Sequence, residues 1–357
     1  MCILRRFATA IATAAVVAGL TAAPAVACGG LVAPNGAVRL LRTSTLAAYH
    51  DGVEHYVTSF TFAGDDTRAP NGNSGEFGSI VPLPGIPTAV ERGGDWTLQR
   101  LAREVAPRAA ATAATARKSS VLNVGAAEVL LQTRIDALDL TVLKGGGTAV
   151  GDWAREHGFL LTPDAPEVLD FYAERSPIFL AARFDAAAAR GRGQHGGDGT
   201  PIHLTIPVQN PWVPLRILAL GRGKLEPVSA DVFLLTDDRP ALLGNSGGVD
   251  LNRSDPASDG LLRDLRSDKG MGWIPGQMWL SYLQISTPAG QLDHDLAIDT
   301  TGRGQPSPKL AGFHLTPPPA GDAGVSRNTG WLVAAGLVAA IAAVGALMAV
   351  SRAGRPR

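Results

Sequence analysis

One short stretch of the chain carries residue types that nucleophilic catalysis needs. Ser246 stands among glycines in the sequence GNSGG, residues 244–248. Flanking glycines let the backbone turn tightly, so that two N–H groups can face the oxyanion formed when a serine hydroxyl attacks a carbonyl. A general base and an orienting carboxylate are also required, and His50 and Asp139 precede the serine in that order. These three residues are the candidate catalytic set.

The surrounding sequence argues against a trypsin-like serine hydrolase, whose serine and aspartate segments these stretches resemble. His50 directly precedes Asp51-Gly52, a dipeptide that predicts a two-residue hairpin turn. Helical patterns follow Asp139, whereas that protease fold is almost entirely β. The chain contains 42 glycines, so a glycine-flanked serine arises easily. We therefore expect no catalytic residue and a protein that is not an enzyme, and the hydrolase that uses Ser246 is kept as the alternative.

Two places in the chain are weak candidates for metal binding. Asp293 and Asp295 share a face if residues 291–299 form a strand, and two carboxylates on one face suit a hard cation. His50 and His55 lie on either side of the predicted hairpin turn, without a third ligand in view. Both patterns are also typical of solvated polar faces. We expect no metal site, and the chain has no phosphate-binding or dinucleotide motif that would indicate a cofactor.

Oxygen-bearing side chains also alternate just after the glycine-rich stretch, at Asp250, Asn252 and Ser254. This spacing resembles a calcium-binding loop, but it lacks the glycine and the later glutamate that such loops require. The polar, turn-rich composition predicts an irregular loop over residues 249–260.

The first 27 residues have the pattern of a secretory signal peptide. Two arginines precede an apolar stretch at residues 7–23, and small side chains at Ala25 and Ala27 predict cleavage between Ala27 and Cys28. Cys28 would then be the one remaining cysteine, so no intramolecular disulfide is expected. Two states of this cysteine stay open, a free thiol and a lipidated N-terminus.

The C-terminal end has the pattern of a single transmembrane helix. Residues 331–350 carry no charge, and as a helix they would extend about 30 Å, enough to span a bilayer. The arginines of residues 351–357 place the tail in the cytoplasm by the positive-inside rule. Residues 28–315 would then form an extracytoplasmic domain, joined through a Pro/Gly-rich tether at residues 316–330. The lipid bilayer is thus an expected partner, with Trp331 at its outer interface.

The charge distribution excludes nucleic acid as an expected partner. The whole chain has 32 basic and 32 acidic residues, and the two apolar ends contain five of the basic ones and no acid. The part between them therefore carries 27 basic against 32 acidic residues, and it has no basic patch of the kind that binds phosphate backbones.

The periodicity of the ectodomain predicts an α+β fold, mainly antiparallel, with about ten strands and about four short helices. The helices are predicted at residues 93–105, 149–161, 162–176 and 254–268. Asp95 is the expected N-cap of the first helix, and Gly158 is the expected stop of the second. A hairpin is predicted over residues 44–62.

The order of the segments resembles a bacterial family, domain of unknown function 2330. The residues that carry this resemblance are ACGG at 27–30, GSIVPLPGIP at 78–87, the run from 138 to 184, and the strand pair at 202–220. The resemblance implies an exported bacterial envelope protein and brings no known activity with it. We expect a non-enzymatic role, the binding or scaffolding of an unidentified envelope protein or ligand outside the membrane.

Overall fold

A computed structural model of the 357-residue chain describes residues 30–32, 38–40, 43–60, 62–64, 77–106, 127–185, 188, 200–244, 247–302 and 304–313. The chain divides into two units, Met1–His314 and Leu315–Arg357, and all described residues belong to the first. The predicted signal peptide, its cleavage site and the predicted transmembrane segment lie outside these residues. No helix in the described part is long and apolar enough to cross a membrane.

The described chain forms strands throughout its length, with helices in between. The strands are β1 (Gly30–Val32), β2 (Val38–Leu40), β3 (Thr43–His50), β4 (Val53–Phe60), β5 (Phe62–Gly64), β6 (Phe77–Leu83), β7 (Ala89–Arg92), β8 (Glu128–Ile135), β9 (Leu138–Lys144), β10 (Ile178–Phe184), β11 (Thr200–Pro207), β12 (Trp212–Val213), β13 (Pro227–Thr236), β14 (Ala241–Leu243), β15 (Val249–Pro256), β16 (Trp279–Pro288) and β17 (Leu296–Asp299). The helices are α1 (Thr97–Val105), α2 (Gly147–Glu156), α3 (Ala165–Ala173), α4 (Asp259–Ser267) and α5 (Pro308–Ala311), with 3-10 turns at Arg216–Ala219 and Ala289–Gln291.

Two large sheets organise these strands. The five-stranded sheet has the order β1-β6-β10-β9-β8 and is antiparallel throughout. The seven-stranded sheet has the order β15-β16-β13-β3-β4-β11-β7, in which β13 and β3 are the one parallel pair. Two small sheets, β12-β17-β14 and β2-β5, complete the described strands. The predicted α+β class with mainly antiparallel sheet is confirmed, and the described residues contain five α-helices where about four were predicted.

The two large sheets pack face to face and are covered by helices on their outer faces. The largest apolar cluster joins alternate residues of both sheets, a second joins the five-stranded sheet to α2 and α3, and a third joins the seven-stranded sheet to α1 and α4. Strand β9 illustrates the alternation, because Leu138, Leu140 and Val142 face the core between the sheets while Leu143 packs under the helices. Asp139 therefore lies on the helix side of this sheet.

Local signals placed two chain reversals correctly. Strands β3 and β4 are joined at Asp51 and Gly52, whose φ angles of 49° and 78° fit the two-residue turn predicted there. Helix α2 ends at Glu156, and Gly158 follows with a φ of 82°, in the left-handed region that terminates helices.

The start of α1 is stabilised by a different residue from the one predicted. Asp95 does not cap this helix, since the N-cap position is Trp96 and has no side-chain cap bond. The carboxylate of Asp268, which follows α4, accepts hydrogen bonds from the backbone N–H groups of Asp95 and Trp96 and from the Thr97 hydroxyl. A residue about 170 positions away in the sequence thus satisfies the free N–H groups of this helix end.

Two further predictions about local structure were wrong. The predicted loop over residues 249–260 contains the edge strand β15, whose polar side chains are tolerated because this strand has a partner on one side only. The predicted strand over residues 291–299 is shortened to β17, because a 3-10 turn occupies Ala289–Gln291. Asp293 and Asp295 precede that strand, so the alternation argument does not apply to them.

Candidate functional site

A cavity of about 220 Å³ lies on the outer face of the five-stranded sheet. Its floor is built from β8, β9 and β10, and its wall from α2 and the residues that follow this helix. Helix α2 packs over Leu143 and Phe179 of the five-stranded sheet. The helix does not cover the other ends of β8, β9 and β10, where the lining residues of the cavity lie. The cavity occupies this uncovered part of the sheet.

Three charged side chains form a row across the cavity floor. The register pairs Arg134 of β8 with Asp139 of β9, and Asp139 with Arg183 of β10. Directly paired residues of adjacent strands project from the same face of a sheet. We call Arg134, Asp139 and Arg183 the charged row. Positive and negative charges alternate along this row, which crosses the strands at right angles.

The charges of this row are compensated within the site. Arg134 lies 3.0 Å from Oδ1 of Asp139 and 3.1 Å from Oδ2 of Asp185, and Arg183 lies 3.4 Å from Oδ2 of Asp139. Among the described residues, these two guanidinium groups thus face the carboxylates of Asp139 and Asp185. The side chains are about a fifth exposed, so these ion pairs are shielded from much of the solvent.

Burial is the main influence on the ionisation of Asp139. It raises the pKa of this carboxyl, because the charged form loses hydration, while the guanidinium groups of Arg134 and Arg183 act in the opposite direction. The two arginines beside it thus offset part of the effect of burial on this carboxyl.

The wall above the row is aromatic. The rings of Trp153 and His157 stack with centroids 3.9 Å apart, and Phe159 packs beside Trp153 at 6.0 Å. We call Trp153 and His157 the ring pair. They lie four residues apart on α2 and its C-terminal end, the spacing that brings two side chains together on one helix face.

The ring pair presents one donor and one acceptor that have no hydrogen-bond partner in the described structure. His157 Nδ1 lies 2.7 Å from the Trp153 carbonyl oxygen, so this nitrogen carries the proton and the neutral ring has an accepting lone pair on Nε2. Neither that Nε2 nor the indole N–H of Trp153 is hydrogen-bonded, and both are shielded from solvent. Unpaired buried polar atoms are rare in folded proteins and call for an explanation.

Gly78 shapes the cavity wall, because Phe159 occupies the place where a side chain would be. A Cβ added at this position of β6 would overlap the Phe159 ring. We expect Gly78→Ala to lower the free energy of unfolding by about 1–3 kcal/mol, since the ring must move out of a packed site. Gly146→Ala is the matched control, because a Cβ there meets nothing within 4 Å. Urea denaturation of both variants checks this, and an equal effect of the two would contradict the packing argument.

The structure does not bring His50 and Asp139 into one site. His50 ends a strand of the seven-stranded sheet and its Nδ1 lies 2.7 Å from Asp237, whereas Asp139 belongs to the charged row of the other sheet. Ser246 is outside the described residues. Its neighbour Gly248 packs against Thr287, at the opposite end of the seven-stranded sheet from His50. Nothing in the described part of the chain supports the hydrolase.

His55 is half-buried and pairs with His203, which is buried. Its Nδ1 lies 2.9 Å from Nε2 of His203 on β11, and its ring stacks on Trp273 with centroids 3.7 Å apart. Burial lowers the pKa of both His55 and His203 to about 4, so the two rings are neutral at pH 7 and one donates to the other. The partner of His55 is thus His203, and His50 is bonded elsewhere.

Asp293 and Asp295 have different environments. Asp293 is exposed and bonds to His294, whereas Asp295 is fully buried and forms an ion pair with Arg175 at 2.7 Å. Burial raises the pKa of Asp295, against the opposing effect of the Arg175 charge. Within the described ranges no group of three or more His, Cys, Asp or Glu side chains could hold a metal ion.

Glu54 is a buried carboxyl group that the sequence patterns did not single out. It alternates with His55 on β4 and shares the inner face of the sheet with Tyr56, in the core between the sheets. Its exposure is 0%, and neither carboxyl oxygen has a hydrogen-bond partner among the residues that the structure describes. Burial raises the pKa of Glu54 to about 8, so this residue is largely protonated at pH 7.

Most of the cavity residues carry no signal in the sequence that marks them as neighbours. Arg134 and Arg183 come from strands that are separated by two helices, and only strand pairing brings them to Asp139. The available signal was the spacing of Trp153 and His157, a helical i, i+4 aromatic pair close to an end-of-helix glycine.

Comparisons with known proteins identify a family and give no activity. No curated protein matches the chain. Among solved structures, baculovirus P35 has 8% sequence identity and a TM-score of 0.39, covering 72% of this chain and 96% of its own. A mutated baculovirus P35 after caspase cleavage has 7% identity and a TM-score of 0.37, covering 72% and 99%. The family described as "Uncharacterized protein conserved in bacteria (DUF2330)" matches residues 22–250, and the chain belongs to this family.

Proposed function

We propose that the protein is an exported, single-span envelope protein whose extracytoplasmic domain binds a small polar ligand in the cavity beside the charged row. The observation that supports this most is the composition of the cavity. A row of partly buried ion pairs forms one side, and an aromatic wall with two nitrogens that have no hydrogen-bond partner in the described structure forms the other. Ligand sites combine apolar walls with a few polar groups in this way.

The chemistry of the lining residues favours binding over catalysis. The hydroxyl groups on the cavity belong to Thr133 and Thr141, and no described histidine is hydrogen-bonded to either of them. Activated nucleophiles need such a base within hydrogen-bond distance. His157 Nδ1 donates its proton to a main-chain carbonyl. In a catalytic triad this nitrogen would donate to a carboxylate, and no described carboxylate takes that position here.

Binding is testable with a broad panel of polar compounds that are small enough for the cavity. A ligand that binds the folded state raises the thermal midpoint by mass action, so we expect some compounds to stabilise the wild-type protein. Gln132→Trp places a large ring at the exposed cavity edge and is expected to abolish the stabilisation. Val129→Trp is the matched control, because Val129 is exposed on the same strand and does not line the cavity. If no compound raises the thermal midpoint of wild type and Val129→Trp more than that of Gln132→Trp, the proposal is overturned.

Export and anchoring are supported by the signal pattern of residues 1–27 and by the uncharged stretch at residues 331–350. We expect deletion of residues 331–357 to release the protein from the membrane fraction into the medium, measured by fractionation and immunoblotting. If the shortened chain stays with the membrane and Cys28→Ser then releases it, a lipid on Cys28 is the anchor. If neither change releases the chain, both forms of anchoring are contradicted.

A further inference from the structure

We propose, resting on the proposed function of the cavity, that its ligand is a neutral polyhydroxylated ring of the size of one sugar unit, and not an anion. The arguments come from the charge balance of the floor, from the size of the cavity and from the hydrogen-bonding capacity of its walls.

The charge balance of the floor disfavours charged ligands. An anion that approached Arg134 or Arg183 would meet Asp139, which lies 3.0 and 3.4 Å from their guanidinium nitrogens. Arg134 is also occupied by Asp185 at 3.1 Å. A cation that approached either carboxylate would meet the arginines in the same way. Any charged ligand would lose its hydration without gaining an uncompensated partner, and this loss is costly in a partly buried site.

Hydroxyl groups suit this floor because each of them both donates and accepts. A carboxylate has about four lone-pair positions. Asp139 uses one oxygen for Arg134 and the other for Arg183, so each oxygen can accept a further bond. Thr141 and Gln132 lie in the next row, paired across β8 and β9, and add a hydroxyl and an amide to the same surface. Neighbouring hydroxyls on one ring could bond to this surface without disturbing the ion pairs.

The size and the apolar wall point to a single ring. A volume of about 220 Å³ is below the range of about 300–1,000 Å³ for drug-sized ligands and equals about seven water molecules. Phe159, Trp153 and Ala181 supply apolar surface, against which the C–H face of a sugar ring can pack.

The ring pair adds a second reason to favour a hydroxyl. A hydroxyl can accept from the Trp153 indole N–H or donate to His157 Nε2, so one ligand group type suits both atoms. A carboxylate or phosphate oxygen offers no proton to Nε2. Both nitrogens are shielded from solvent, and the His157 ring that carries one of them is half-buried.

The test is calorimetric titration of the full-length protein with sugars that differ in charge. The neutral probes are glucose, galactose and mannose, and the charged probes are glucuronate, glucosamine and glucose 6-phosphate. We expect at least one neutral probe to bind wild type and Val129→Trp, no binding to Gln132→Trp, and at least tenfold weaker binding of the charged relatives. Asp139→Asn removes the carboxylate charge that lies beside both guanidinium groups, so it makes the floor more positive and should shift the preference towards glucuronate by at least tenfold.

The outcomes separate this inference from the proposed function. Tighter binding of glucuronate or glucose 6-phosphate than of the neutral sugars by wild type would overturn the inference and leave a ligand site in place. If compounds of another class bind in the cavity and no sugar does, the inference is likewise overturned and the ligand site remains. If no sugar binds and the broad panel also fails, both proposals are wrong. An unchanged preference in Asp139→Asn would contradict the charge-balance argument.

Discussion

Glu54→Gln is expected to increase the free energy of unfolding by about 5 kcal/mol at pH 9 and to leave it nearly unchanged at pH 4. Glu54 is fully buried and its oxygens have no hydrogen-bond partner in the described part of the chain, so the folded state favours the protonated form. Glutamine has nearly the same shape and cannot ionise. The substitution therefore removes the cost of ionisation and changes little else.

The sign and the pH window follow from proton linkage. Burial raises the pKa of Glu54 from 4.5 to about 8, so the folded protein holds this proton more tightly than the unfolded chain does. The stability that this provides is complete below pH 4.5 and is lost as the pH rises through 8. At about 1.4 kcal/mol for each pKa unit, the loss is on the order of 5 kcal/mol.

Urea denaturation of wild type and Glu54→Gln from pH 4 to pH 9 measures the difference directly. Glu91→Gln is the matched control, because Glu91 is an exposed glutamate on β7, a strand of the same sheet. The control should follow the wild-type profile. If Glu54→Gln lost stability with rising pH as steeply as wild type, the buried carboxyl would not be the titrating group.

The contribution of the histidine pair to the free energy of unfolding depends on pH in the opposite direction. The effects of Glu54 and of the histidines can therefore be measured separately. Burial lowers the pKa of His203 from 6.5 to about 4, so the unfolded chain binds the proton more tightly. The associated stability is present above pH 6.5 and is lost as the pH falls towards 4. Glu54→Gln should leave this acid limb unchanged while it flattens the limb between pH 4.5 and 8.

The features that were predicted correctly from the sequence depend on near neighbours. Asp51-Gly52 specifies a turn because both residues tolerate a positive φ, and Gly158 stops α2 for the same reason. The periodicity of α2 likewise results from burying one face of a short segment, and the apolar run of β9 results from burying both faces of a strand. The α+β class follows from the succession of such segments.

The features that were missed depend on pairings between distant segments. Asp268 caps α1 across a separation of about 170 residues, and no local pattern around it indicates that role. The charged row combines β8, β9 and β10. Its positive and negative side chains alternate from one strand to the next, so the pattern cannot be found by following the sequence. Edge strand β15 was mistaken for a loop because its exposed, polar side chains lack the alternation of a half-buried strand.

Asp295→Asn is expected to destabilise the fold by about 3–5 kcal/mol, the usual cost of breaking a buried ion pair by removing one partner. Asp295 is fully buried, and the Arg175 side chain beside it is 4% exposed. The amide retains an oxygen for neutral donors but leaves the guanidinium without a counter-charge. Asp293→Asn is the matched control, because that carboxylate is exposed two residues away, and its effect should stay within about 0.5 kcal/mol.

The second oxygen of this carboxylate distinguishes the site from a simple ion pair. Oδ1 of Asp295 accepts hydrogen bonds from the Tyr172 hydroxyl and from the backbone N–H groups of Leu215 and Arg216, at 2.8–2.9 Å. These donors connect α3 to the 3-10 turn at Arg216–Ala219. Asp295 therefore joins three segments that are distant in the sequence, and only part of its contribution comes from Arg175.

A double variant separates the two contributions. Replacing both partners of a buried ion pair by apolar residues is often neutral, so Arg175→Met with Asp295→Leu would restore wild-type stability if the ion pair were the whole interaction. We expect the double variant to remain several kcal/mol less stable in urea denaturation, because each of the three donors left unpaired costs about 1–3 kcal/mol. It also loses the stacking of Arg175 over Phe171 and Trp212. Full recovery would show that the three hydrogen bonds are dispensable.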